Sequence, residues 1–204
     1  MSAPSIYLAS KSPRRQELLR QLGVEFEEVL LREAPGRRRD LVEQPRKDEK
    51  ALDYVKRIAR TKAAVGWHRM LRRELTPRPV LGADTEVVLD GAIFGKPRDA
   101  VDALRMLTLL SGRSHSVITA VAISWEAKIV RAVSISEVTL RKLSHEEIER
   151  YVATGEPFDK AGGYAVQGRA AAFISRLEGS YSGVMGLPLC ETADVLARIG
   201  FPVL

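Results

Sequence analysis

The sequence predicts an α/β protein with a mixed, twisted sheet and flanking helices. Three observations predict it. Short apolar segments alternate with amphipathic stretches that carry helix start and stop residues. Two tight turns, Asp90-Gly91 and Glu126-Ala127, join apolar or β-branched runs, so the sheet is not purely parallel. The 204 residues, 45% of them hydrophobic, supply ample core for one domain spanning 1–204, or for two lobes of it.

The elements follow in order. Ser5 to Ala9 reads as a strand. Ser12 then offers an N-cap and Pro13 a first helical residue with φ already set. The helix carries Leu18, Leu19 and Leu22 on one face, and Gly23 stops it. A loop that enters a helix N-terminus is an anion-binding arrangement, because unpaired N–H groups and the dipole face the loop. Arg14 and Arg15 occupy that first turn, where the dipole disfavours cations. An anion accounts for them better than helix stability does.

Val24 to Leu30 reads as a second strand, and residues 31–50 as a charged loop. The loop holds Arg37, Arg38, Arg39, Arg46, Lys47, Lys50 and one early acid, Glu33. At about 20 residues it is long for a compact domain, which points to a functional loop. Arg37 to Arg39 also suit a plain solvated surface. Ala51 to Gly66 is a helix with Val55, Ile58, Ala59 and Val65 as its apolar stripe, continuing as a basic segment to Leu75. Lys62 follows Val55 by two turns and falls on that stripe. It either snorkels past the core or points at an anion inside.

The centre of the chain is Gly82 to Pro97, GADTEVVLDGAIFGKP, read as strand, turn, strand. Asp84 closes an apolar strand and Lys96 follows the returning one, so the hairpin brings a carboxylate and an amine near each other. Asp99 to Leu110 is a helix with Val101, Leu104, Leu107 and Leu110 inward. His115 to Ser124 and Lys128 to Leu140 are β-branched strands. Ser144 and Glu147 form a capping box, and Gly155 ends that helix. Residues 156–168 form a loop in which the Gln167 amide offers a donor and an acceptor, as the edge of a base requires. Ala172 to Leu177 is a strand, Gly179 to Gly183 a Gly/Ser loop, and a last helix runs to Ile199.

Composition narrows the function classes. Lys and Arg exceed Asp and Glu by 32 to 26, which favours anionic partners. The single cysteine, Cys190, rules out an internal disulfide framework and suits a reducing compartment. No apolar run approaches the roughly 18 residues of a spanning helix. No basic segment followed by an apolar core opens the chain, so the expected location is cytoplasmic. His68, His115 and His145 do not cluster, which gives little support to a zinc site or a Ser-His-Asp arrangement. Neither a Walker A loop nor GxGxxG is present.

Four separated stretches, in order, resemble the Maf family of nucleotide pyrophosphatases. They are LASKSPRRQELL (8–19), GADTEVVLDGAIFGKP (82–97), EPFDKAGGYAVQGRAAAFI (156–174) and GSYSGVMGLPLCET (179–192). The YVKRIARTKA helix (54–63) is similar as well. The resemblance implies an inosine triphosphatase-like α/β fold with two lobes around an elongated cleft. It implies hydrolysis of a nucleoside triphosphate to the monophosphate and pyrophosphate with a divalent cation, Mg²⁺ or Mn²⁺. Asp84 is then the catalytic carboxylate, either base toward water or metal ligand, and Ser10, Arg14, Arg15, Lys62 and Lys96 match phosphate-binding positions. Lys62 and Lys96 would act as catalytic charges. Glu33 approximates an acidic position near the metal. Ser12-Pro13-Arg14-Arg15, Ala83-Asp84-Thr85 and Val166-Gln167-Gly168 match the dTTP/UTP-cleaving branch, making Arg14, Thr85 and Gln167 the specificity residues. Val166 stands where that branch commonly has Ile, and the 31–50 loop is longer and more basic than its counterpart.

The resemblance further implies housecleaning of non-standard nucleotides, including modified uridine forms, and admits a homodimer. Two other readings compete. One is a pyrophosphatase for another base, such as 7-methyl-GTP. The other is a nucleic-acid-binding regulator of cell division, but the basic residues at 37–50 and 69–78 lack interleaved aromatics for stacking, and a net charge of +6 is modest.

Overall fold

A computed structural model describes residues 5–31, 41–201 and 203. Glu33 and Arg37 to Arg39 lie outside the described residues. Seven strands form one mixed sheet in the order β2-β1-β3-β5-β6-β7, with β4 paired to β3. The chain divides into two compact units. The first holds Met1–Asp84, Thr119–Val133 and Gly186–Leu204; the second holds Thr85–Ile118 and Ser134–Met185. No helix among the described residues is long and apolar enough to cross a membrane.

In the first unit β1 (Ser5–Leu8) pairs in parallel with β2 (Glu25–Glu28) and with the start of β3 (Val80–Leu89). Between β1 and β2 runs α1 (Pro13–Gln21), and Gly23 ends that turn at φ 73°. Ser12 stands at the N-cap, but its side chain makes no capping bond. The basic segment after Gly66 is continuous with the helix before it, giving α2 (Ala51–Arg72). Gly66 allows this: a Cβ there would stand 2.8 Å from Val80 Cγ1 and 3.1 Å from Ala9 Cβ, so only glycine lets α2 lie this close to the strands. Val55, Ile58 and Ala59 are buried as the stripe predicts, while Val65 is only half-buried. α6 (Leu189–Ala197) closes the unit.

In the second unit β3 turns into β4 (Ala92–Phe94) through Asp90 and Gly91, at φ 51° and 79°. Two successive left-handed residues are what a hairpin turn twisted like its strands requires. α3 (Ala100–Leu110) starts at Asp99, whose side chain accepts from the Asp102 amide. Its inward face is shifted from the predicted one. Val101 is 74% exposed, whereas Ala103, Met106, Leu107 and Leu110 are buried. Asp102 is buried as well, because it accepts from Arg98 and Arg105. α4 (His145–Ala153) carries the predicted capping box of Ser144 and Glu147.

β5 (Ser114–Trp125) and β6 (Lys128–Leu140) are neighbours in the sheet, and Glu126 in the turn between them adopts φ 52°. β6 pairs antiparallel with β7 (Ile174–Glu178). The predicted Gly/Ser loop at 179–183 is partly helical. Ser180 Oγ accepts from the Gly183 amide at 2.9 Å and so starts α5 (Tyr181–Met185).

Candidate functional site

Asp84 sits in the middle of β3, not at its end, because the apolar run continues to Leu89. It is 4% exposed. The amine that meets it is Lys62 of α2: Nζ donates to Asp84 Oδ1 at 2.9 Å. Lys62 is 8% exposed, so its place on the buried stripe reflects a buried partner and not snorkelling. Gly82 makes the meeting possible. A Cβ at Gly82 would lie 2.5 Å from Ala63 N and 2.6 Å from Ala59 O, so β3 and α2 approach to a distance that only glycine permits.

The pair is not isolated. Glu43 Oε2 lies 3.2 Å from Lys62 Nζ. Burial pushes the Asp84 carboxyl above the ordinary carboxylate range; Lys62 and, less strongly, Arg15 pull it back, while Glu43 adds to the rise. Asp84 Oδ2 is buried and has no hydrogen-bond partner among the described residues. A buried acceptor left unsatisfied costs about 1–3 kcal/mol, so this oxygen is where a ligand, a water or a cation is expected.

The loop before α1 supplies the cationic side. Arg15 donates from Nε to Gly186 O at 2.8 Å and from Nη1 to Ser10 Oγ at 3.3 Å. Ser10 Oγ also accepts from the Ser12 amide at 3.2 Å. Arg14 is half-buried in the same first turn. That first turn has no acidic residue, so the two guanidinium groups stand at the end of the helix where its dipole disfavours cations.

Thus Asp84, Lys62, Arg15 and Ser10 all belong to the first unit, and Arg15 bears electrostatically on Asp84. Thr85, Lys96 and Gln167 belong to the second. There Thr85 is half-buried, and Lys96 and Gln167 are exposed. The Gln167 loop is tied down on both sides. The Gly162 amide donates to Gly95 O at 3.1 Å, and a Cβ on Gly162, at φ 69°, would meet Val87 Cγ2 at 2.9 Å. After Gln167, Glu156 accepts from Arg169 N at 3.1 Å and Ala170 N at 3.4 Å, and from the Tyr151 hydroxyl at 3.0 Å.

Two participants were not legible in the sequence: Glu43, in a loop without periodicity, and Glu156, read only as part of a motif. The one available signal for Glu43 was its position in the long charged loop just before α2.

Among the described residues no three His, Cys, Asp or Glu side chains gather into a metal cage. Asp84 and Glu43 nonetheless both bring carboxylate oxygens to one amine, and Asp84 Oδ2 has no partner among the described residues. Such a lean oxygen set fits Mg²⁺ or Mn²⁺ held jointly with substrate phosphates.

A family model described as Maf-like protein matches residues 5–199, and so spans both units. The dTTP/UTP pyrophosphatase of Aromatoleum aromaticum is 53% identical over 199 residues, 97% of this chain and 97% of that one. That of Chromobacterium violaceum is 52% identical over 96% of this chain and 95% of its own. That of Nitrosomonas europaea is 50% identical over 97% and 96%. Among solved structures, the Staphylococcus aureus Ham1 protein overlaps with a TM-score of 0.40 at 10% identity, over 67% of this chain and 71% of that one, a score too low to carry an argument. On the match over residues 5–199 and these full-length relatives, the chain belongs to the Maf family.

Proposed function

We propose that this chain is a nucleoside triphosphate pyrophosphatase that hydrolyses dTTP and UTP to the monophosphate and pyrophosphate. The observation that carries the chemistry is the buried Asp84, held at Oδ1 by Lys62 with Oδ2 unpartnered among the described residues. The names of the relatives at about half identity supply the substrate class.

In this reading water attacks the α-phosphorus, the bond from that phosphorus to the α,β-bridging oxygen breaks, and pyrophosphate leaves. Asp84 Oδ2 takes the water's proton. A carboxyl raised by burial is a stronger base than an ordinary one, and Lys62 pulls it back toward the charged form. Lys62 therefore holds the base in place and offsets charge on the transferring group. Arg14, Arg15 and Ser10 bind phosphate oxygens, the guanidinium groups by forked contacts. Lys96 adds a compact charge. Thr85 and Gln167 select the base.

Asp84 and Glu43 are the described carboxylates that would hold a divalent cation, and Glu43 takes the acidic role that the sequence assigned to Glu33. When bound, such a cation neutralises phosphate charge and acidifies water. The test is pyrophosphate release from dTTP, UTP, CTP, dGTP and 7-methyl-GTP, with Mg²⁺ and with chelator. Metal-dependent release confined to dTTP and UTP supports the reading; release from none of them overturns it.

A further inference from the structure

Glu43 reaches Lys62 Nζ, beside Asp84, from a loop. Its side chain is 50% exposed, and residues 41–46 have no regular secondary structure. A single half-exposed ion pair is weak in water and is too little to fix a loop. The neighbouring segment, however, is fixed to α2 by a different set of bonds. Arg57 donates from Nε to Glu49 Oε1 and from Nη2 to Glu49 Oε2, both at 2.6 Å. Its Nη2 also donates to the Gln44 carbonyl at 3.1 Å. Glu49 Oε2 in turn accepts from the Arg46 amide at 2.9 Å. The Arg57 guanidinium lies over the Tyr54 ring, 5.4 Å from its centroid, which sets its plane. One fork thus grips the loop at the backbone of residues 44 and 46, directly beside Glu43. All of these residues lie in the first unit.

We propose that the Arg57–Glu49 fork is a positioning device for the reaction. It holds the Gln44 backbone so that the Glu43 carboxylate stays on Lys62, beside Asp84. Arg57 itself acts through Glu43. The inference rests on the reading that Glu43 serves catalysis. A guanidinium suits the task because it can bind two carboxylate oxygens and a carbonyl at once; a lysine ammonium has the charge without the planar fork.

The test uses Arg57→Lys and Glu49→Gln, each alone and combined with Glu43→Gln. Pyrophosphate release is measured across nucleotide and Mg²⁺ concentrations. A misplaced catalytic group costs about 10-fold to 100-fold in rate. Both single variants are therefore expected to lose about 10-fold in kcat with KM for nucleotide little changed, and to need more Mg²⁺ for half-maximal rate. In the Glu43→Gln background neither is expected to lose more. Full additivity there, or wild-type kcat in both single variants, overturns the proposal.

Trypsin supplies a readout independent of turnover, since Arg46 and Lys47 lie in the gripped segment. Faster cleavage there is expected in Arg57→Lys and Glu49→Gln but not in Glu43→Gln; unchanged cleavage overturns the fork as a clamp. Wild-type turnover by Glu43→Gln, with faster cleavage in the fork variants, removes instead the catalytic reading of Glu43 and the positioning role with it. Glu49→Gln, which leaves Arg57 and one acceptor oxygen in place, keeps the test open if Arg57→Lys does not fold.

Discussion

Lys62 Nζ and Asp84 Oδ1 lie 2.9 Å apart in a buried pair whose other carboxylate oxygen has no partner among the described residues. The asymmetry divides the labour: one oxygen is held and the other is open to chemistry. Asp84→Asn keeps the shape and an acceptor toward Lys62 but cannot take a proton. It is expected to bind dTTP while losing about 10²–10⁴-fold in turnover, the usual weight of a general base. Calorimetric binding beside pyrophosphate release checks this. Turnover equal to wild type would sink the role assigned to Asp84.

The charges around Asp84 also set a pH dependence. Turnover needs the ionised carboxyl, so rate falls as pH drops through its raised pKa. Lys62 pulls that value down, so Lys62→Met is expected to move the acidic limb of residual kcat to higher pH. Glu43 pushes it up, so Glu43→Gln is expected to move the limb to lower pH. For stability the sign differs from that of a usual salt-bridged carboxylate. The folded state holds this proton more tightly than the unfolded chain, so the contribution is present at low pH and is lost as pH rises through the raised value. pH–rate profiles of the three proteins decide the matter, and two limbs moving the same way would contradict it.

Local signals in the sequence found most of the elements and one buried member of the Lys62–Asp84 pair. Helical period alone put Lys62 on the buried face of α2, because an i to i+7 spacing returns to the same stripe. Turn chemistry placed the Asp90-Gly91 hairpin, and the Ser144–Glu147 box placed α4. What failed depended on space rather than on neighbours in the chain. Nothing in the sequence tells that a strand carboxylate 22 residues after Lys62 is its partner. Val101 was misplaced because Asp102 and its two arginines, not an apolar residue, occupy that edge of α3. Glu43 was passed over because a loop has no period to mark it.

Gly82 connects packing to chemistry. Its missing Cβ lets β3 touch α2 backbone to backbone, with Lys62 Cβ only 2.9 Å from where that atom would be. Gly82→Ala must therefore push strand and helix apart at the point where Lys62 reaches Asp84. Overpacking of this kind costs about 1–3 kcal/mol. The variant is expected to melt lower and to lose turnover by more than its folded fraction explains. Thermal unfolding beside kcat checks both; activity that simply tracks the folded fraction would mean that the pair tolerates the shift.

Gln167 is exposed, but the backbone that presents it is not loose. The Gly168 amide closes a turn on Ala165 O at 3.1 Å, and Glu156 takes the amides of Arg169 and Ala170 just beyond. A Cβ on Gly168 would stand 2.2 Å from Glu156 Oε1, so the turn and the carboxylate are fitted together. A side chain that reads a base by hydrogen bonds needs that rigidity, since one bond is worth only about 0.5–1.5 kcal/mol. Gln167→Ala is expected to lower kcat/KM for dTTP and UTP by about 3-fold to 10-fold, with CTP and dGTP little affected. Glu156→Ala is expected to produce the same narrowing of base preference with Gln167 still present, and a lower melting temperature because three donors lose their acceptor. Competition assays across the four nucleotides separate the outcomes. An equal loss for every base in Gln167→Ala would assign this side chain to phosphate binding, and undiminished preference in Glu156→Ala would show that the turn holds its shape without the carboxylate.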